Sequence, residues 1–257
     1  MRWRLAFTLL GLLGFPVLAG AEPLRAVYGV QAAGMQVMQV EVLFDLSRPS
    51  HYRIESNLRF TGMAGWFSGG RQVNRVEGIW AGGTAQPIRF MGDGMWRGEP
   101  RRVVIDYTAG EPVLRVLVPS DDGEREPVPQ AMQQGTIDSL SALAQLTRNL
   151  AETGRCEGSA AIFDGRRRAD LRVRTLGRDH LPPWRDAWSG EAVRCGFTGR
   201  QVAGFRRGES AEVREPQEGT AWMASPRPGA PMLPVRVEIP SRWLGSLTGY
   251  LTEIGPP

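Results

Sequence analysis

The chain has 257 residues, of which 31 are basic and 27 acidic, so its formal net charge at neutral pH is only +4. This balance disfavours nucleic acid as a partner, because nucleic-acid binding depends on a concentrated excess of positive charge. Every basic residue is an arginine, and an anionic lipid or glycolipid surface stays compatible with the composition.

The first residues predict a cleavable secretory signal peptide over residues 1–21. A basic start precedes an apolar stretch from Leu5 to Leu13, which Pro16 ends, and Ala19-Gly20-Ala21 is a small-residue site for signal peptidase. An uncleaved membrane anchor is the less favoured alternative, because the stretch falls short of the ~20 residues that a spanning helix needs. We therefore expect residues 22–257 to form a single β-rich domain in the periplasm.

Apolar and polar residues alternate along the first half of the chain, which predicts β-strands with one buried face. The alternation is clearest over residues 37–46 and 52–60. Shorter strand-like stretches, separated by Gly, Pro and Asp-Gly signals, cover residues 72–80, 87–91, 102–107 and 113–118. The spacing predicts a mainly β protein, an antiparallel meander that forms a curved sheet, half-barrel or barrel-like, and it leaves open whether the sheet closes.

An apolar cluster lies between two of these strands, where a polar turn would be ordinary. Met63, Trp66 and Phe67 are flanked there by glycines. The cluster could fold inward as a corner, form a lid over a ligand cavity, or contact lipid directly. Core packing is the ordinary role of the other side chains that could join such a cavity, which are Trp80, Met95 and Trp96.

One principal helix is predicted over residues 137–152. Its apolar residues recur at helical spacing, Thr136 or Asp138 can cap its start, and Gly154 can end it in a left-handed conformation. One face of the helix is apolar, so we expect it to pack on the concave face of the sheet. Capping also explains Asp138 better than a catalytic role does, because no nucleophile motif surrounds it.

Residues 155–174 predict a β-hairpin whose turn has Asp164-Gly165 at its centre. This pairing would place Phe163 opposite Arg166 and would expose most of the hairpin's arginines to water, with an apolar face on the other side. The alternative is an anion or lipid head-group site formed by Arg166, Arg168 and Arg174.

The two cysteines, Cys156 and Cys195, both lie on apolar faces of predicted strands. In an exported protein this arrangement predicts a disulfide between them. A redox-active thiol is less favoured, because neither cysteine belongs to a C-x-x-C pair or has a histidine nearby in sequence.

The sequence shows no recognisable motif for catalysis, a cofactor or a metal. His51 and His180 lie in different segments, and no histidine, cysteine or acidic cluster has metal-ligand spacing. The glycines around residues 61–70 lack the lysine of a phosphate-binding loop. We therefore expect no enzymatic activity, no cofactor and no metal.

Four stretches together resemble the bacterial envelope family known as domain of unknown function 3108: "GTIDSLSALAQLTRNLAETGRC", "IFDGRRRADLRV", "GEAVRCGFTGRQVAGF" and "LPVRVEIPSRWLGSLTGYLTEI". The Phe-Asp-Gly-Arg turn, Phe163 to Arg166, is the most recognisable element, and the Ile-Asp pair at the helix start is the second. The resemblance implies an exported β-rich protein. It brings no catalytic or ligand-binding residues with it.

Two classes of function follow from these observations. The first is a non-enzymatic binding or carrier protein for a lipid or another apolar envelope ligand, which would need an unfilled apolar cavity. The alternative is a structural or assembly factor that binds another envelope protein, which would need an exposed edge strand or apolar patch.

Overall fold

The computed structural model describes residues 22–62, 70–96, 98–120, 123–241 and 245–257. Residues 1–21, and with them the predicted signal peptide, lie outside this range, as do Met63, Trp66 and Phe67. No helix within the described range combines the length and apolarity that a membrane span requires.

The described residues form one antiparallel sheet of thirteen strands. The strands are β1 (Leu24–Ala32), β2 (Met35–Asp45), β3 (His51–Phe60), β4 (Arg71–Ala81), β5 (Thr84–Trp96), β6 (Glu99–Thr108), β7 (Glu111–Val118), β8 (Gly158–Phe163), β9 (Arg168–Leu181), β10 (Gly190–Ala203), β11 (Gln217–Ala224), β12 (Leu233–Ser241) and β13 (Gly245–Gly255). Their spatial order is β7-β6-β5-β4-β3-β2-β1-β13-β12-β11-β10-β9-β8. Each neighbouring pair except β1 and β13 is also consecutive in sequence, so the predicted mainly β meander is confirmed.

Two α-helices interrupt the meander between β7 and β8. They are the single-turn α1 (Gln130–Gln133) and the principal helix α2 (Ser139–Thr153), and a short 3₁₀ helix, Ala211–Arg214, follows β10. Asp138 caps α2 by accepting hydrogen bonds from the backbone N–H groups of Leu140 and Ser141, and Gly154 ends it at φ 69°. Both predicted caps are confirmed, and the helix begins two residues later than predicted.

Helix α2 packs on the inner face of the sheet. Its buried residues Leu140 and Ala144 belong to one hydrophobic core with Ile54, Val76 and Phe90. The Tyr52 hydroxyl, which projects from β3, donates a hydrogen bond of 2.8 Å to the hydroxyl of Ser141. On the outer face, arginines and carboxylates pair across neighbouring strands.

The predicted disulfide between Cys156 and Cys195 is present, with 5.9 Å between the Cα atoms. Both cysteines are fully buried in a second hydrophobic cluster, where they pack with Leu150, Val193 and Met223. The bond therefore ties the segment after α2 to strand β10 beneath the helix.

The hairpin of β8 and β9 forms, but the predicted register is wrong. Phe163 pairs with Arg168 rather than with Arg166, so the turn contains four residues, Asp164 to Arg167. The reason is the Asp164 side chain, whose Oδ1 accepts hydrogen bonds from the backbone N–H groups of Arg166 at 2.9 Å and Arg167 at 2.7 Å. A carboxylate that bonds ahead to its own backbone stabilises this wider turn.

Phe163 was expected on the exposed arginine face of the hairpin, and this prediction is also wrong, since its side chain is 1% exposed. The segment before α2 adds to the edge of β8: Ile137 accepts a hydrogen bond from Phe163 N–H and donates one to the carbonyl of Ala161. The end of the hairpin is thereby held against the core.

The sheet curves but stays open within the described residues. Strands β7 and β8 form its two ends and do not pair with each other. The tip of the β8–β9 hairpin instead meets the opposite end of the sheet, where a methyl group added to Gly165 would lie 2.5 Å from Cγ2 of Val103 on β6. This approach places the hairpin tip beside β6 and β7.

Candidate functional site: an arginine-lined cavity

The inner face of β3 to β6 changes from apolar to polar along its length. Three consecutive cross-strand rows of inward-facing residues show the change: Ile54-Val76-Phe90-Ile105, then Ser56-Asn74-Gly92-Val103, then Leu58-Gln72-Gly94-Arg101. The first row is buried in the core with α2. Amides, glycines and an arginine replace bulky apolar side chains in the other two rows, so the core gives way to a polar surface.

Two amide side chains are ordered on that surface. Gln72 Nε2 donates to Asn74 Oδ1 at 2.9 Å, and Asn74 Nδ2 donates to the Ser56 hydroxyl at 3.4 Å. Gly92 leaves room for them, because an added methyl group would lie 2.8 Å from Cγ1 of Val103 and 3.1 Å from Asn74 Oδ1. Gly92 therefore keeps this end of the inner face open.

A cavity of about 460 Å³ lies over these rows, between β6 and the tip of the β8–β9 hairpin. Its volume falls within the roughly 300–1,000 Å³ of small-molecule sites. Six arginines from four segments of the chain line it: Arg101, Arg102, Arg125, Arg166, Arg167 and Arg206. Among the residues that the structure describes, the same lining holds two acidic residues, Glu124 and Asp164. We call this the arginine cavity.

The remaining lining is mixed. Ser139, the first residue of α2, reaches the cavity, as do Phe90, Val103 and Trp96. Trp96 is 36% exposed, so it contributes aromatic surface beside the arginines. The cavity thus combines guanidinium and amide donors with a limited apolar wall.

Arg125 lies where the loop after β7 pairs antiparallel with the loop after β10. Its Nη1 donates a 2.8 Å hydrogen bond to the carbonyl of Gly204, and the backbones of Glu126 and Phe205 are bonded at 2.9 Å. Burial lowers the pKa of Arg125, and the positive charges of Arg167 and Arg206 lower it further. These like charges lie close enough to repel one another, and a bound anion would relieve the repulsion.

The hairpin turn supplies two more cations in fixed positions. Arg166 Nη2 donates to the carbonyl of Pro119 at 2.6 Å, and Arg167 Nε donates to Asp164 Oδ2 at 2.8 Å. Asp164 therefore shapes the turn and orients one of its arginines. Arg101 approaches from β6 with its side chain 18% exposed, and its Nη2 lies 3.8 Å from Glu99 and 4.0 Å from Glu124.

The structure does not bring together the three arginines that the sequence suggested as an anion site. Arg166 lines the arginine cavity. Arg168 is 14% exposed at its side chain and bonds Asp170 at 2.7 Å and the carbonyl of Met132 at 3.2 Å. Arg174 lies in a separate groove with Leu176 and Phe197.

The interpretation that the hairpin arginines mostly face water is therefore wrong for two of them. Arg166 and Arg168 are half-buried, because the tip of the hairpin packs against the rest of the molecule, whereas Arg172 and Arg174 are exposed as expected.

The structure also places the aromatic and apolar residues that the sequence suggested for a cavity in different surroundings. Trp96 lines the arginine cavity, and Met95 beside it is 40% exposed. The Trp80 ring packs against the Tyr52 ring with 4.9 Å between their centroids. The Arg148 guanidinium lies 4.6 Å from the centroid of the Trp80 ring.

Sequence reasoning missed most of the residues that form the arginine cavity. A usable signal existed for Gln72 and Asn74, which occupy inward positions of an alternating strand where apolar residues are ordinary. No local signal marks Arg125 and Arg206, because their proximity depends on the contact of two distant loops.

Among the described residues, no group of three or more His, Cys, Asp or Glu side chains is arranged to hold a metal ion. His51 Nδ1 lies 2.7 Å from the Ser50 hydroxyl, and His180 Nδ1 lies 2.7 Å from Glu191. What the arginine cavity offers chemically is a set of fixed positive charges and hydrogen-bond donors, which suits the binding of an anion.

The fold is similar to that of a β-barrel-like protein of the domain of unknown function DUF1849 from Brucella abortus. The two share 13% identity and a TM-score of 0.50, over 91% of this chain and 97% of that chain. A protein from Parabacteroides distasonis described as a "putative lipoprotein" is matched over 92% of this chain and 96% of its own, with 11% identity and a TM-score of 0.36. A Bacteroides fragilis protein described as a "putative exported protein" with a YmcC-like fold gives 12% identity, coverage of 91% and 96%, and a TM-score of 0.36.

A search of curated proteins finds no match to this chain. The family described as protein of unknown function DUF3108 matches residues 25–252. The match spans the sheet from β1 to β13 together with both α-helices, so the chain belongs to the DUF3108 family.

Proposed function

We propose that this protein is an exported, non-catalytic binding protein that holds a molecule with an anionic head group in the arginine cavity. The observation that carries the proposal is the convergence of six arginines on one cavity of about 460 Å³. These arginines come from β6, the loop after β7, the β8–β9 turn and the loop after β10, so the fold as a whole assembles the cluster.

The chemistry of the lining supports an anion as the ligand. Guanidinium groups bind carboxylates and phosphates through paired, charge-assisted hydrogen bonds. Among the described lining residues, six are arginines and two are acidic, so the formal charge of this lining is positive. Gln72 and Asn74 add amide donors and acceptors at the floor, which can bind the uncharged polar atoms of a head group.

The lining of the cavity changes the class of ligand in the carrier hypothesis that the sequence suggested. Trp96, Phe90 and Val103 provide apolar surface beside the six arginines. A wholly apolar ligand would remove water from these charged groups without offering them a hydrogen bond in its place, which is unfavourable. An amphiphile can place its anionic head beside the arginines and its apolar part beside Trp96 and Phe90.

We place the protein in the periplasm. The proposal rests on the basic, apolar and small-residue pattern of residues 1–21. The disulfide between Cys156 and Cys195 supports it, since such bonds persist in oxidising compartments.

Calorimetric titration of the mature protein with decyl phosphate, below its critical micelle concentration, tests the function. The double variant Arg101→Ser/Arg206→Ser removes two cations of the cavity, and Arg172→Ser/Arg178→Ser removes two exposed arginines of β9 as a matched control. Since a hydrogen bond to a charged group contributes about 1.5–3 kcal/mol, we expect the first variant to bind at least ~10-fold more weakly.

The control variant should bind within about twofold of the wild type, because exposed charges at a distance are largely screened. Thermal unfolding of both variants establishes that they are folded. Equal affinities of the two variants, or no binding of decyl phosphate by the wild type, would refute the proposed function.

A further inference from the structure

A second cleft, of about 360 Å³, lies between strand β7 and the turn of the β8–β9 hairpin. Arg125 and Arg166 line this cleft as well as the arginine cavity. The two spaces therefore adjoin across the same pair of cations.

The cleft differs from the arginine cavity in its lining residues, with three arginines instead of six and with aliphatic side chains of β7. Leu114 and Leu117 of β7, Val128 of the following loop and Phe163 of β8 supply apolar surface. The rest of the lining is mostly polar: Ser120, Arg125, Glu126, Gln133, Arg166 and Arg207, with Pro127 and Gly165. An elongated apolar group could lie along the leucines, with its charged end at the arginines.

The position of the cleft follows from the topology. It lies where the two ends of the sheet approach but do not pair, and Gly165 keeps the hairpin tip against β6 and β7. Leu114 is 36% exposed at this place. Its side chain would gain burial if an apolar group occupied the cleft, and that gain favours occupancy.

We propose that the arginine cavity and this cleft form one site for a single-chain anionic amphiphile. The head group binds among the arginines, and the acyl or alkyl chain lies in the cleft along β7. This inference rests on the proposed function, because the arginines must hold the head group for the chain to reach the cleft. The cleft adjoins the cavity through Arg125 and Arg166, so a ligand with one chain can occupy both spaces.

The test is a chain-length series. Affinity is measured by calorimetry for inorganic phosphate and for butyl, hexyl, octyl and decyl phosphate, each below its critical micelle concentration. For the wild type we expect affinity to rise by up to about fourfold for each methylene that becomes buried, until the chain fills the cleft.

The variant Leu114→Gln places a polar amide in the cleft. We expect it to bind inorganic phosphate with unchanged affinity but to lose most of the gain with chain length. Leu176→Gln is the matched control, because Leu176 is 40% exposed and lines a different groove, and it should keep the full gain.

The outcomes separate the two proposals. If no phosphate binds, or if binding is insensitive to Arg101→Ser/Arg206→Ser, the proposed function fails. If inorganic phosphate binds as tightly as decyl phosphate, or if Leu114→Gln keeps the whole dependence on chain length, the cleft is not the chain site, while the arginine cavity stands as an anion site.

Discussion

Asp138 combines two roles at the start of helix α2. Its Oδ1 accepts hydrogen bonds of 2.9 Å from the N–H groups of Leu140 and Ser141, and its Oδ2 accepts one of 2.6 Å from the Ser141 hydroxyl. The side chain is fully buried. We expect Asp138→Ala to lower the free energy of unfolding by roughly 1–2 kcal/mol, as the loss of a helix cap does.

Asp138→Asn is the control in the same denaturant titration, because its amide oxygen can still accept the two backbone hydrogen bonds. It should lose clearly less stability than Asp138→Ala near pH 4. Equal losses for the two variants would mean that capping is not the main role of the side chain.

The buried position of Asp138 also predicts a pH effect. Burial raises the pKa of this carboxyl, and hydrogen bonds from Ser141 and Leu140 offset the rise only in part. An acid whose pKa is higher in the folded state stabilises folding below its unfolded pKa, near ~4, and loses that contribution as pH rises through the folded pKa. The nearby Tyr52 and Tyr107 stay protonated, because burial raises the pKa of each phenol further above its ordinary value.

Asp138→Asn does not titrate, so its stability should improve relative to the wild type as pH rises from about 4 to about 7. The measurement is the difference between the two unfolding free energies over this range. A difference that does not change with pH would contradict the predicted shift.

Gly165 at the hairpin tip is required for two separable reasons. It has φ 90°, and an added methyl group would lie 2.5 Å from Val103. Gly110, in the turn between β6 and β7, has φ 82°, but a methyl group added there would have no atom within 4 Å. Gly110→Ala should therefore show only the backbone strain of about 1–2 kcal/mol, whereas Gly165→Ala should be clearly more destabilising. Equal destabilisation in urea unfolding would show that the contact with Val103 is unimportant.

At the scale of elements, the sequence predicted strands where one face is buried and the other exposed. The alternation in β3, with Tyr52 and Ile54 buried and His51 exposed, is a clear example. Strand β11 was not predicted from alternation, because both of its faces are covered: Ala221, Trp222, Met223 and Ala224 are all buried. A strand buried on both faces lacks the period of two on which the prediction depends.

The hairpin register could not be predicted from the Asp-Gly pair alone. Asp-Gly is typical of a two-residue turn, but the same aspartate can bond to the N–H groups ahead of it and stabilise a longer one. Asp164 does the latter. The burial of Phe163 depends in addition on Ile137, which is bonded to β8 from outside the hairpin.

The disulfide joins the segment after α2 to strand β10 and closes a loop between residues 39 apart. For a loop of this length the chain-entropy model gives a stabilisation of roughly 4 kcal/mol. We expect Cys156→Ser/Cys195→Ser to lose about this much in guanidinium unfolding, and reduction of the wild type under mild denaturant to produce a similar loss. An unchanged midpoint after complete reduction would contradict this expectation.

At the scale of the whole molecule, some residues of the arginine cavity could be predicted from the sequence, but their clustering could not. Arg166 was suggested as an anion contact and does line the cavity, and Gln72 and Asn74 break the apolar alternation of their strand visibly. The cluster itself arises because the sheet curves until the β8–β9 tip meets β6, and because the loops carrying Arg125 and Arg206 pair through an antiparallel bridge. These contacts join residues far apart in sequence, whereas the alternation of apolar and polar residues relates only residues that are close in sequence.

The central claim is that the charge of the head group decides binding. Thermal unfolding of the mature wild-type protein with decyl phosphate, and separately with decyltrimethylammonium, compares two ligands with the same chain and opposite charge. A ligand that binds only the folded state raises the unfolding midpoint, and the rise grows with the logarithm of the ratio of ligand concentration to Kd. The arginine cavity predicts a rise with decyl phosphate and none with the cation, whereas an equal rise with both, or no rise with the phosphate, would contradict it.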